Sequence, residues 1–224
     1  MNWVAIWLTV KLASLTALIL VVIGMPIAYW LSFSRWRWKF LIESGVALPL
    51  VLPPTVLGFY ILVAIGPQSP LGQFYTNIVG HPLPFTFEGL LFASILYSLP
   101  FAVQPFATAF EQIDRRLIEA SWTLGVSRLN TFFKLIIPLS TAGMVTGFVL
   151  SFAHTLGEFG VVLMVGGNIE GETRTVSIDI YDEVQALNYV GAAKTALFLL
   201  AISYTVLLVV YAMNRKVWAL WPQK

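Results

Sequence analysis

Long uninterrupted apolar runs, rather than alternating or striped patterns, dominate this chain. Five stand out, at roughly 7–33, 44–65, 87–109, 137–165 and 192–213. A helix crossing a bilayer needs about 20 consecutive apolar residues, so each run predicts one transmembrane helix. The chain as a whole predicts an all-α integral membrane protein of about five crossings that forms a single transmembrane domain over 1–224. The intervening segments are short and polar, and 168–190 is too polar to make a sixth crossing. The first run far exceeds the roughly 7–15 apolar residues of a secretory signal core, and its basic cluster follows rather than precedes it. It is expected to be retained as an anchor.

Charge orients the spans, because short loops rich in Lys and Arg stay on the cytoplasmic side. Segment 34–43 holds Arg35, Arg37 and Lys39; segment 110–136 holds Arg115, Arg116, Arg128 and Lys134; the tail holds Arg215, Lys216 and Lys224. Together these are ten of the thirteen basic residues. Segment 66–86 has none, and 166–191 has Arg174 alone among Glu170, Glu172, Asp179, Asp182 and Glu183. The alternation predicts an N-terminus outside and a C-terminus in the cytoplasm. Trp3, Trp7, Trp36, Trp38, Trp218 and Trp221 fall at span ends, where indole rings anchor at the interface.

Composition narrows the function classes. The chain is 58% hydrophobic and 11% charged, with a mean hydropathy of +0.82, whereas soluble domains are about a quarter charged. A net charge of +2 gives no reason to expect nucleic acid. Cysteine is absent, which excludes disulfides, thiolate metal sites and cysteine nucleophiles. With two His and one deep Glu, the constellation a membrane enzyme would need is missing and no metal site is expected. A secondary transporter would need an energising ion site and usually internal repeats, and neither is legible.

Segment 110–136 is the least lipid-like connection. Asp114 is placed to cap a helix from Arg115 to Leu124, Gly125 to end it in a left-handed turn, and Ser127 to cap a second helix leading towards Pro138. Small residues at Ala120 and Ser121 would let the first helix sink into a groove on a partner. The order Glu119-Ala120-Ser121, then Gly125, then Leu135-Ile136-Ile137-Pro138 resembles the EAA loop of ABC importer permeases. The departures are Ser121 for the second Ala, Leu135 for Ile and Ile137 for Leu, all conservative in size.

Two further stretches resemble the oxyanion branch of that family, which carries molybdate, tungstate or sulfate. Leu48 to Tyr60 opens the second run with Pro49, Pro53 and Pro54, a costly choice inside a helix that also predicts a kink. In the fourth run, Ser151 to Gly160 places His154 and Glu158 four residues apart, hence on one helical face if the helix is continuous. An ionised carboxylate inside a span costs about 2.5–3.5 kcal/mol on insertion scales and should face protein or a watery cavity. Since a carboxylate is a poor oxyanion ligand, a structural or gating role is favoured: bonding His154, capping a broken helix, or repelling an anion. Pro53, Pro54, His154 and Glu158 are the candidate gating or pore residues. The external run Gly171-Glu172-Thr173-Arg174-Thr175 is similar to molybdate permeases; Arg174 either meets the arriving anion or, the favoured reading, pairs with the acids around it.

The resemblance covers residues 9 to 213 and implies the type I ABC importer permease fold in the cytoplasmic (inner) membrane. It also implies a homodimeric pore, separate cytoplasmic ABC ATPase subunits docked at Glu119, Ala120, Ser121, Gly125 and Pro138, and an extracytoplasmic molybdate-binding protein. The chain has no phosphate-binding Gly-x-x-x-x-Gly-Lys-Ser/Thr loop, so it is expected to be no enzyme itself. It should have no cofactor of its own, with ATP and Mg bound by the partner. Sulfate and tungstate remain alternative cargoes.

Overall fold

The computed structural model describes residues 1–219, with the side chains of 209 and 213–219 left undescribed. Arg215, Lys216 and Trp218 as side chains, and Trp221 and Lys224 altogether, therefore lie outside the described residues. The described elements are helical: α1 (Trp3–Phe33), α2 (Lys39–Ala47), α3 (Pro54–Ile65), α4 (Pro70–Val79), α5 (Phe87–Glu111), α6 (Arg115–Thr123), α7 (Arg128–Thr131), α8 (Ile137–Leu139), α9 (Thr141–Leu156), α10 (Gly160–Gly166), α11 (Val176–Gln185) and α12 (Tyr189–Ala219).

Three of the expected spans are continuous helices long and apolar enough to cross a bilayer: α1, α5 and α12. The other two runs are broken. Lys39–Leu50 and Pro54–Ile65 meet at 113°, and Arg128–Leu139 and Thr141–Leu156 meet at 75°. The fourth run breaks again after Leu156, so 137–165 comprises α8, α9 and α10 rather than one helix. The physical reason at the first break is Pro53-Pro54: neither has an N–H to donate, and Pro54 suits the first turn of a new helix. Upstream of the second, Phe132–Ile136 winds as a π-helix and Pro138 sits in the short α8 that follows. Pro26 in α1 and Pro100 and Pro105 in α5 leave those helices unbroken because packed neighbours support them.

The centre is a three-helix packing of α1, α5 and α9. Leu20, Val103, Phe106, Phe110 and Ile136 fill it, and Ile118 of α6 joins the same cluster. Lipid tails are as apolar as these side chains, so close fit rather than water exclusion holds such helices together, which favours small residues at the seams. Gly147 of α9 meets that demand: a Cβ there would stand 2.5 Å from Cε1 of Phe106 and 2.9 Å from the carbonyl of Ala102. A Cβ on Gly143 would collide with Ala109 and the Pro105 carbonyl. A second cluster of Ile61, Ile65, Ala93, Val161 and Val165 joins α3, α5 and α10.

The start of α1 and the start of α11 are tied by polar contacts. Asn2 caps α1 by accepting from the Val4 and Ala5 amides, each at 3.1 Å, and its Nδ2 donates to Asp179 of α11 at 3.2 Å. Thr9 Oγ1 accepts the buried amide of Val176 at 2.8 Å, supplying the partner that the first turn of α11 lacks. By contrast α12 exposes Leu197, Leu200, Tyr204, Leu208 and Tyr211. So large an apolar surface is compatible with lipid and not with water.

Candidate functional site

Segment 110–136 folds as its local chemistry dictates. Asp114 Oδ1 accepts from the Arg116 amide at 2.9 Å to start α6, Gly125 takes the left-handed φ of +79°, and Ser127 Oγ accepts from the Asn130 amide at 3.3 Å to start α7. Glu119 and Ala120 are exposed on α6. Ser121 is not: its hydroxyl lies 2.9 Å from Thr131 Oγ1 and pins α6 to α7. Of the two small residues expected on a docking face, Ala120 is thus the exposed one and Ser121 is turned towards α7, because adjacent helical residues point about 100° apart. Leu124, Leu129 and Phe133 are 83%, 72% and 62% exposed, leaving most of this apolar surface uncovered although the Phe133 ring meets Phe132 edge-on at 5.2 Å. Pro138 is exposed in α8, at the bend leading into α9.

The two interior breaks meet each other. Gly160 opens α10 directly against the first turn of α3, where a Cβ on it would come within 2.7 Å of Pro54 Cβ. Around this junction lies a cavity of about 650 Å³ bordered by Pro54, Thr55, Tyr97, His154, Glu158 and Met164. Three of the four residues singled out in the sequence thus converge; Pro53 caps α3 just outside the lining.

The chemistry inside this junction differs from the expected pairing. His154 and Glu158 do not bond each other. Glu158 Oε2 accepts from Ser94 Oγ at 3.0 Å, with Ser94 fully buried and Glu158 4% exposed, while Oε1 has no hydrogen-bond partner among the described residues. His154 Nδ1 lies 2.9 Å from Ser98 Oγ, and its ring stacks on Phe101 at 3.9 Å. The reason is the end of α9 at Leu156, which removes the helical turn that would have stacked position 158 over 154. Glu158 does not cap α10 either, since Phe159 holds that position without a side-chain bond.

Ser98 further contacts Thr155 Oγ1 at 2.9 Å, and Thr155 donates to the Ser151 carbonyl at 2.9 Å. One arrangement uses each hydroxyl proton once: His154 Nδ1–H donates to Ser98, Ser98 to Thr155, and Thr155 to Ser151. Ser94 and Ser98 were not anticipated. Their four-residue spacing in an otherwise apolar run was the available signal, since it places two hydroxyls on one face of α5.

Arg174 pairs as favoured. Its Nε donates to Asn168 Oδ1 at 2.7 Å, and its guanidinium lies 3.8 Å from both Glu170 and Asp182. Among the described residues no group of three or more His, Asp or Glu could hold a metal ion.

A helical membrane protein with a loop helix presented for docking and a polar junction between broken spans has the makings of a transporter subunit. The family profile for binding-protein-dependent transport system inner membrane components matches residues 13–219, and the chain belongs to that family. It is 51% identical over 211 residues to the molybdenum transport system permease protein ModB of Azotobacter vinelandii, covering 94% of this chain and 93% of the relative. It is 35% identical to ModB of Escherichia coli K12, covering 93% and 91%. A probable sulfate transport system permease of Chlorella vulgaris is 34% identical, covering 92% and 77%. Among solved structures, a chain of the MetNI methionine ABC transporter superposes with a TM-score of 0.76 at 17% identity, covering 97% of this chain and 96% of that one. The fold is therefore that of an ABC importer permease.

Proposed function

We propose that this chain is the membrane-spanning subunit of an ATP-driven importer of molybdate. The observation that carries the reading is the 51% identity, across nearly the whole of both chains, to a molybdenum transport permease. Two copies would form the pore around the junction of Pro54, His154 and Glu158. ATPase subunits would dock on α6 through Ala120 and the exposed apolar residues beside it, and an extracytoplasmic binding protein would deliver the anion. The basic segments 34–43 and 110–136 support a docking face in the cytoplasm and an N-terminus outside. ATPase closure would draw the docking helices together and swing α5 and α9, opening the junction to alternate sides. Glu119, Gly125 and Pro138 are proposed to shape the docking segment, and Glu158 to hold the junction's conformation rather than to bind anion.

The test is uptake of labelled molybdate by cells carrying or lacking the gene. Molybdate uptake should depend on ATP, survive dissipation of ion gradients, and be competed by tungstate, which is nearly identical in size and charge. Normal molybdenum accumulation in the deletion strain together with a sulfate requirement would transfer the assignment to sulfate. Sensitivity to the ion gradient with ATP maintained would favour a secondary transporter.

A further inference from the structure

A second cavity, of about 400 Å³, lies between the end of α1 and the docking helix α6. Its walls bring Arg35, Arg115 and Arg128 together from three separate elements, with Glu119 the single carboxylate among the lining residues. None of the three guanidinium groups forms an ion pair among the described residues. Arg128 lies over the Trp122 ring, 5.5 Å from its centroid. Three cations bordering one cavity against one anion leave an excess of positive charge, and guanidinium forks match the oxygens of a phosphate group bidentately.

The rest of the wall says which phosphate. Trp30, Phe33 and Trp122 line the same cavity, and aromatic faces of that extent add nothing for a small hydrated ion. They do suit the glycerol and first acyl carbons of a lipid. The depth agrees: α1 ends at Phe33, the rings of Trp30 and Trp36 are 5.9 Å apart, and Arg37, Trp38 and Lys39 follow. That sequence of aromatic and basic side chains marks the level of lipid headgroups.

We propose that this cavity binds the phosphate headgroup of an acidic phospholipid of the cytoplasmic leaflet, tying the end of α1 to α6. The bound headgroup bridges Arg35 on one side and Arg115 and Arg128 on the other, so the lipid becomes part of the joint between membrane span and docking helix. The inference rests on the cytoplasmic placement of residues 34–43 and 110–136. Cysteine labelling at Arg116 tests that placement independently of lipid, so the two failures are distinguishable.

The experiment is native mass spectrometry of the purified, fully assembled transporter exchanged into equal mixtures of phosphatidylglycerol and phosphatidylcholine. The wild type should retain phosphatidylglycerol in preference, with the preference falling about fivefold for each guanidinium removed. Arg35→Gln combined with Arg128→Gln should therefore abolish most of it, and the corresponding Arg→Lys pair, which keeps the charge, should retain part. Arg37→Gln, outside the lining, should leave it unchanged. Three results would overturn the proposal: no preference in the wild type, an undiminished preference in the Gln pair, or an equal loss in Arg37→Gln. An added arm with inorganic phosphate separates the sources, since stoichiometric retention of free phosphate without selection between lipids would assign the site to a soluble anion instead.

Discussion

Ser94→Ala removes the only hydrogen bond that the Glu158 carboxyl makes among the described residues, and its cost can be worked from the junction itself. The bond is 3.0 Å long, Ser94 is fully buried and Glu158 is 4% exposed, so water cannot replace the lost donor without entering between α5 and the α9–α10 break. Interhelical side-chain bonds in membrane proteins average about 0.6 kcal/mol and reach about 1.7, whereas a buried polar group left unpaired costs about 1–3 kcal/mol. Because Oε1 is already without a partner, the mutant carboxyl would have none at all. A loss of about 1–2 kcal/mol is expected, at the upper end of the membrane range.

The assay is reversible unfolding of the purified transporter in mixed micelles, run as a cycle with Glu158→Gln and the double variant. Glu158→Gln keeps the shape and removes the charge. Its effect should shrink when Ser94 is already Ala, giving a coupling energy of about 1 kcal/mol. The same Glu158→Gln protein should assemble, show altered basal ATPase activity in the complex and keep its apparent anion affinity. Stability of Ser94→Ala within about 0.3 kcal/mol of wild type, with additive effects in the cycle, would refute the claim that this contact holds the junction. A large affinity loss in Glu158→Gln with normal turnover would place the carboxyl on the anion's path.

Other outcomes follow from the same geometry. Cysteines replacing Gln73 or Glu170 should react with an impermeant thiol reagent in intact cells and a cysteine replacing Arg116 should not; reaction at 116 would reverse the orientation. Ala120→Asp should abolish uptake and weaken co-purification of the ATPase, because it buries a charge in the contact; Gly125→Val should do likewise by forcing a β-branched residue to a φ of +79°. Membrane insertion should survive both, and wild-type uptake would remove the docking role. Gly147→Ala should destabilise by about 1–3 kcal/mol through collision with Phe106, while Gly45→Ala in α2, with nothing within 4 Å of the new Cβ, should not destabilise at all; equal effects in unfolding assays would contradict the packing described.

What could be read in advance was what acts locally. Asp114, Gly125 and Ser127 each exert their effect within a few residues, so the docking segment emerged with its helices, caps and turn in place. Arg174 was similarly legible, because the acids that pair with it lie in the same loop. The prolines at 53 and 54 announced a disturbed helix, but neither the 113° bend nor the packing of Gly160 against the freed turn followed from them, since both involve residues distant in sequence. Glu158 was visible as an acid that must be satisfied inside the protein. Its partner was not, because Ser94 is 64 residues away in sequence. The plausible neighbour at His154 was lost when the helix between them ended two residues early.

The glycine seam between α5 and α9 has a mechanical meaning. Gly143 and Gly147 bring α9 so close to α5 that neither helix can slide lengthwise by a fraction of a turn without driving Ala109 or Phe106 into backbone. The segment proposed to dock the ATPase is the stretch of chain that joins these same two helices. Both of its ends are therefore rooted in one stiff body, and it acts as a handle rather than a hinge. If a partner pulls on α6, the load would reach α5 and α9 as a unit, and the yielding would fall elsewhere, in the broken second run.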